Sequence, residues 1–258
     1  MWDPATYQQF SFERERPFAE LLSRVAHPDP SYVVDLGCGP GGRTATLLQR
    51  WPQARVVGVD SSAEMVSTAA EHAVDGRLSF VQGDLRTWQP EQAVDVLVTN
   101  ATLQWVPGHL DLLPRLVGFL TAGGEFAMQV PGNFTEPSHL LLEQLRSSPR
   151  WRDRVGPESA ATAAVHAPAD YLAALTDLGL TADVWETTYL HVLPGPDAVL
   201  EWTKGTALRP VFAVLSGDER EEFVREYAAL LRAAYPRRSS GTVLPFRRIF
   251  AVAQRPPA

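Results

Sequence analysis

The sequence predicts an α/β protein, a mostly parallel seven-stranded sheet with helices on both faces. Three observations lead there. Between residues 32 and 130, short apolar runs of strand length alternate with amphipathic segments long enough to cross back over a sheet. The first run, Tyr32-Val33-Val34-Asp35-Leu36, stops abruptly in Gly37-Cys38-Gly39-Pro40-Gly41-Gly42, and helical spacing follows at once. Polar residues then stand just past the end of each successive run, at the edge where open α/β sheets bind ligands.

The chain has 258 residues, 45% of them hydrophobic and 21% charged, enough to bury a full core in a single large domain. A formal net charge of -7 argues against a long polyanion as partner and leaves room for a locally basic pocket for a small anion. Cys38 is the single cysteine, so neither a disulfide framework nor a cysteine-built metal site is expected. No stretch approaches the roughly twenty apolar residues of a membrane span. Met1-Trp2-Asp3-Pro4 lacks the basic flank and apolar core of a secretory leader. The expected location is cytoplasmic, without nucleic-acid or membrane partners.

Trp2, Tyr7, Phe10 and Phe12 make the N-terminus aromatic, and Phe18, Leu21, Leu22 and Val25 form a stripe on a helix over 13–25. The aromatics either anchor this helix on the sheet or fold over a ligand, with Tyr7 and Phe10 as part of a lid. Gly37, Gly39 and Gly42 satisfy G-x-G-x-x-G, which permits a dinucleotide but equally closes an ordinary strand–helix turn. A helix over 43–51 follows. The second strand, 55–60, ends in Asp60, a carboxylate placed to accept hydrogen bonds from ribose hydroxyls or simply to end a strand. Ser61 and Ser62 come next, with Ser62 capping a helix over 63–73. The third strand, 78–81, closes in Gln82-Gly83-Asp84-Leu85, where Asp84 either accepts from an adenine amino group or caps the turn. The fourth, 94–99, ends at Asn100. A loop marked by Trp105, Pro107 and Gly108 precedes a helix from about His109, with Leu110, Leu113, Leu116, Val117 and Leu120 buried. Residues 121–124 stop it, 125–130 form the fifth strand, and Pro131-Gly132-Asn133 breaks that strand.

Beyond this point the alternation loosens. A helix over 136–145 runs into Pro149, and Arg146, Arg150, Arg152 and Arg154 read as a solvated basic face. A helix over 168–178 and a strand over 184–193 precede Pro194-Gly195-Pro196. Residues 198–206 contain Trp202 and Lys204. Ser216 with Glu219 reads as a capping box for a helix through Ala234 that buries Phe223, Tyr227, Leu230 and Leu231. The last strand, 249–253, could run antiparallel. The domain thus divides into a cofactor-binding core over 32–130 and mainly helical insertions over 132–167 and 197–247 that would cover a substrate.

The six histidines are dispersed and none makes H-E-x-x-H, so no metal is expected. No G-x-S-x-G and no phosphate-loop Gly-Lys-Ser/Thr occurs. An adenosine-bearing cofactor remains as the source of reactivity.

Asp35-Leu36-Gly37-Cys38-Gly39-Pro40-Gly41, Asp60 after strand two, Gly83-Asp84 after strand three and Asn100 after strand four together resemble the class I S-adenosylmethionine-dependent methyltransferases, over roughly 32–130. The resemblance implies a Rossmann-like fold with S-adenosyl-L-methionine as cofactor and S-adenosyl-L-homocysteine as product. It implies binding by Asp35, Gly37, Gly39, Gly41, Asp60, Ser61, Asp84, Leu85 and Asn100, with Asn100 near the methyl sulfonium. Further stretches, Trp2 to Tyr7, Asn100 to Trp105, Asn133 with Glu136 to His139, Trp202 to Pro210, Tyr235-Pro236 and Pro245 to Phe250, are similar to the aconitate-methylating branch of that family. That branch esterifies a carboxylate of a small polycarboxylate.

Such a substrate needs no general base, because a carboxylate is already ionised at neutral pH. It does need cationic or hydrogen-bonding clamps, for which arginine is the best planar partner. Arg209 and Arg247 are the leading candidates, followed by Tyr7, Trp105, His139, Trp202 and Tyr235. Methylation of another small acid, a nicotinamide dehydrogenase and a noncatalytic adenosine- or nucleic-acid-binding module are the competing readings.

Overall fold

Runs of Val, Leu and Ile, bounded by glycine, proline or a carboxylate, form the strands. A computed structural model describes residues 11–156 and 165–258. Its strands are β1 (Tyr32–Leu36), β2 (Arg55–Asp60), β3 (Leu78–Gln82), β4 (Val94–Asn100), β5 (Leu120–Pro131), β6 (Thr181–Leu193) and β7 (Thr242–Gln254). They form one seven-stranded sheet in the order β3-β2-β1-β4-β5-β7-β6. The β1/β2, β2/β3, β1/β4 and β4/β5 pairs are parallel. The chain runs outward from β1 to β3 and then restarts at β4 on the other side of β1. The strand order therefore reverses between β1 and β4, the point at which such sheets open a crevice.

The chain divides into two compact units. Among the described residues, the core unit comprises Glu15–Val130, 165–186 and Ile249–Ala258, and the helical unit 11–14, 131–156 and 187–248. The core unit holds most of helix α1 (Ser11–Ser23), then α2 (Gly42–Arg50), α3 (Ala63–Ala69), α4 (Leu113–Val117) and α7 (Pro168–Asp177). On one face of its sheet Val34, Leu36, Val57, Val59, Leu97, Phe126 and Met128 pack with Leu113 and Leu116 of α4 and Tyr171 and Leu175 of α7. Strand alternation turns Val33, Asp35, Val96 and Val98 to the other face, where the Thr44 hydroxyl of α2 donates to Asp35.

The helical unit contains α5 (Pro137–Arg146), α6 (Arg152–Val155), α8 (Ala198–Lys204), α9 (Arg209–Val214) and α10 (Gly217–Ala234). Its own core includes Leu142, Leu145, Trp151, Trp202, Phe223, Tyr227 and Phe246.

Several sequence expectations are corrected. The helix expected through Leu120 ends at Val117, and β5 begins where that helix was to finish. Leu120 satisfies helical spacing, but it pairs instead with Val94, and a register shift between Val94 and Val96 absorbs the glycines. Gly123 there takes φ 78, a conformation closed to most side chains. Ser216 stands at the N-cap of α10 without any side-chain bond, so no capping box forms. The last strand starts at Thr242, because Leu244, Phe246 and Arg248 alternate inward ahead of the continuous apolar run. The expected helix over 63–73 gives way after Ala69 to a 3-10 turn, Ala70–His72.

The arginine run is a solvated face at Arg150, Arg152 and Arg154, all exposed, and departs from it only at Arg146. Glu219, Glu222 and Glu226 recur on one side of α10. Arg150 bridges Glu222 and Glu226, Arg154 pairs with Glu219, and Arg146 is buried, its Nε donating to Gly156 O at 3.1 Å.

Candidate active site

The glycine turn is stitched to β2, with Gly37 N and Cys38 N both donating to Val59 O at 2.7 and 3.1 Å. Gly37, Gly39 and Gly41 of this turn meet different surroundings. A Cβ on Gly37 would lie 2.1 Å from the Thr102 hydroxyl, and one on Gly41 would lie 2.7 Å from Ala69. Both are required by protein packing. Gly39, at φ 57, faces nothing within 4 Å, so it leaves the turn open to a ligand.

Gly39 N donates to Asp60 Oδ2 and Ser62 N to Asp60 Oδ1, each at 2.9 Å. These two bonds fix the carboxylate at the carboxyl end of β2 and leave lone pairs for further donors. Ser61 is exposed beside it, and its carbonyl accepts from Gln82 Nε2 at 3.1 Å. Ser62 caps α3 through Met65 N at 3.3 Å, as the sequence suggests. Asp35 is buried behind the turn and accepts from Thr44 Oγ1 at 2.6 Å. Burial pushes its carboxyl up to about 6, against the lowering effect of the Thr44 bond.

Asp84 is held by Arg86, whose Nε and Nη2 reach its carboxylate at 3.0 and 2.5 Å while the Arg86 backbone N–H donates at 2.9 Å. The Arg86 side chain, then its backbone bond, brings the Asp84 pKa down to about 2. Leu85 is half-buried against the core with Trp88, and the open position at Gly83 accommodates the Trp88 ring. Asn100 ends β4 with its Oδ1 buried and unpartnered, and Ala101 follows at φ 54. Trp105, on the 3-10 turn Leu103–Trp105, is 58% exposed.

His109 is structural. Its Nε2 meets the Tyr171 hydroxyl at 2.8 Å and its Nδ1 the Val106 carbonyl at 3.2 Å. A carbonyl only accepts, so the ring carries its proton on Nδ1, and burial lowers its pKa.

Five other candidates belong to the helical unit. His139 Nδ1 lies 3.2 Å from Ser138 Oγ and 3.4 Å from Asn133 Nδ2, and burial brings its pKa down to about 4. Trp202 is buried and stacked on His191, with ring centroids 5.1 Å apart. The Tyr235 hydroxyl accepts from Ser138 N at 3.0 Å. Arg247 Nη1 donates to Gly132 O at 3.2 Å, and Arg209 is exposed at the first residue of α9. Tyr7 lies outside the described residues.

Sequence reasoning passed over Thr44, Thr102 and Gln129. Gln129 had a usable signal: alternation along β5 sets it opposite Asn100 on the same face. Among the described residues no group of three or more His, Cys, Asp or Glu could hold a metal, and no helix is long and apolar enough to cross a membrane.

Residues 33–124 match the family model described as a methyltransferase domain. The chain is 53% identical to the trans-aconitate 2-methyltransferase of Streptomyces avermitilis, over 98% of this chain and 97% of that one. The chain belongs to that family. The enzymes of the same name from Mycolicibacterium gilvum and Escherichia coli O157:H7 are 52% and 43% identical, over 98% of this chain and 99% and 98% of theirs. Among solved structures, the YcgJ protein of Bacillus subtilis aligns with a TM-score of 0.61 at 12% identity, covering 93% of this chain and 97% of that one. The geranyl diphosphate C-methyltransferase of Streptomyces coelicolor, bound to S-adenosyl-L-homocysteine, aligns with a TM-score of 0.56 at 16% identity, covering 97% and 82%. At such identities these two speak for the class I methyltransferase fold alone.

Proposed function

We propose that this protein transfers the methyl group of S-adenosyl-L-methionine to a carboxylate of trans-aconitate, giving the monomethyl ester and S-adenosyl-L-homocysteine. The observation that carries this reading is 53% identity, along nearly the whole of both chains, to a trans-aconitate 2-methyltransferase.

The residues at the sheet edge suit that donor. Asp60 keeps lone pairs for ribose hydroxyls, Gly39 opens backbone to an approaching ligand, and the unpartnered Asn100 Oδ1 awaits a donor group. Bound there, the donor supplies an electrophilic methyl group on a sulfonium. Asp60 and Gly39 would hold the nucleoside, with Ser61 and Leu85 beside it and Asn100 towards the methyl sulfonium and the methionyl end. Asp84 would contribute through the turn that it and Arg86 close. Asp35 would act from behind, fixing the turn through Thr44.

The acid brings its own ionised nucleophile, so the protein's task is to align oxygen, methyl carbon and sulfur and to exclude water. Burial makes His139 a weak base, which fits a hydrogen-bonding role rather than a proton-abstracting one. Arg209 and Arg247 are the first proposed carboxylate partners, and Trp105, His139, Trp202 and Tyr235 rank after them.

The test is mass spectrometry of small di- and tricarboxylic acids incubated with purified protein and donor. The expected result is a singly methylated trans-aconitate formed in step with S-adenosyl-L-homocysteine. Methylation of a different acid, with trans-aconitate untouched, would overturn the substrate but keep the chemistry.

A further inference from the structure

We infer that Gln129, together with Gln104 and Asn100, forms the subsite for the α-ammonium group at the methionyl end of the donor. This deepens the S-adenosylmethionine reading and rests on it.

Gln129 is 1% exposed, yet neither Oε1 nor Nε2 has a partner. Gln104 is 4% exposed; its Nε2 donates to Ala101 O at 2.6 Å while Oε1 has none. Because a carbonyl can only accept, that contact settles which end of the Gln104 amide is the nitrogen, and the free atom is the oxygen. Asn100 Oδ1 is likewise buried and unpartnered. Burying a polar group without a hydrogen bond is costly, so several in one place call for a ligand.

The backbone brings the three residues together. Asn100 and Gln129 are register partners on adjacent parallel strands, so their side chains leave the same face of the sheet, the face that also carries Asp35. Ala101 N donates to Gln129 O at 2.9 Å, which ties the turn bearing Gln104 to β5. Thr99 Oγ1 is also unpartnered, but alternation turns it to the opposite face with Met128, and it takes no part.

The free atoms select the ligand by chemistry. Three are acceptor oxygens, from Asn100, Gln104 and Gln129, and one is a donor, Gln129 Nε2. An ammonium offers three N–H donors, and the carboxylate on the same carbon can meet the remaining amide N–H. A tricarboxylate offers no donor at all, so three carbonyl oxygens would repel it. The subsite is therefore built for the zwitterionic end of the donor and against the acid.

Three ligands separate the possibilities by calorimetry: S-adenosylhomocysteine, its desamino analogue and 5′-methylthioadenosine, which lacks the amino-acid end altogether. The variants are Gln129→Met and Gln104→Met, unbranched and of similar volume. Each should weaken S-adenosylhomocysteine by about 10- to 100-fold, the range of one or two charge-assisted hydrogen bonds. Binding of 5′-methylthioadenosine should stay within about twofold of wild type in both variants, and so should binding of the desamino analogue in Gln104→Met, whose free atom faces only the ammonium. Ligand-free melting temperature should hold or rise, since an unpaired buried amide has been removed. If both variants bind S-adenosylhomocysteine like wild type, water satisfies these amides and the proposal is overturned. Equal loss for all three ligands would overturn it too, by making the residues structural. Wild-type protein that binds none of the three would instead overturn the underlying donor assignment.

Discussion

Arg247 is half-buried and donates to the Gly132 carbonyl, where Gly132 N in turn donates to Arg247 O at 2.9 Å. Arg209 is exposed. Truncating the two should therefore have different consequences. Arg209→Ala is expected to lower kcat/KM for trans-aconitate by about 10- to 100-fold through loss of a charge-assisted contact, with donor Kd and melting temperature unchanged. Arg247→Ala should lower activity and melting temperature together. Steady-state kinetics beside a thermal melt decides, and an active Arg209→Ala variant would return Arg209 to the surface. Residue by residue, the sequence names the polar ends of β2 and β4 well, because spacing alone puts Asp60 and Asn100 at the sheet edge. It cannot tell that Gly37 and Gly41 yield to Thr102 and Ala69 while Gly39 faces open space, since those neighbours are set by tertiary packing.

Helices α5 and α10 are joined at Ser138, whose backbone N–H donates to the Tyr235 hydroxyl and whose carbonyl accepts from the Tyr227 hydroxyl at 2.7 Å. Tyr227 is fully buried, and burial raises its pKa. Tyr227→Phe keeps the ring and removes one buried hydrogen bond, so it should cost the helical unit about 1 kcal/mol in urea unfolding. Glu222→Ala, at a partly exposed ion pair with Arg150, should cost less than half as much. The reverse order would mean that the ion pairs, not the tyrosine bridge, hold this pair of helices. Helical periodicity made α10 legible from Phe223, Tyr227 and Leu231, and short continuous apolar runs made β1, β2 and β4 legible. Of the arginine run only the buried Arg146 escaped the reading, and Leu120 was misread because it satisfies both helical and strand spacing.

Across the whole chain, acid should act on the two units in opposite senses. In the core unit, burial raises Asp35 to about 6 from an unfolded value of roughly 3.9. Between those values the folded unit holds a proton that the unfolded chain releases, so stability grows as pH falls from about 6 to 4. Above pH 6 the ionised Asp35 lowers stability by up to about 3 kcal/mol. His139, in the helical unit, has its pKa depressed to about 4 from an unfolded value near 6.5. There the unfolded chain takes up the proton first, so the stability present above pH 6.5 is lost as pH falls towards 4. His109 shifts in the same direction as His139 but within the core unit, where it opposes Asp35. Asp84, lowered to about 2, changes only below this window. Asp35→Asn keeps an acceptor for Thr44 and removes the buried charge. It should therefore stabilise the core unit above pH 6 and abolish its gain on acidification. His139→Gln should flatten the acid loss of the helical unit. Urea unfolding between about pH 4.5 and 8, followed by two probes so that separate transitions are resolved, measures both. Parallel pH curves for wild type and Asp35→Asn would show that Asp35 titrates as it does in the unfolded chain, and the buried-charge account of the turn would fall.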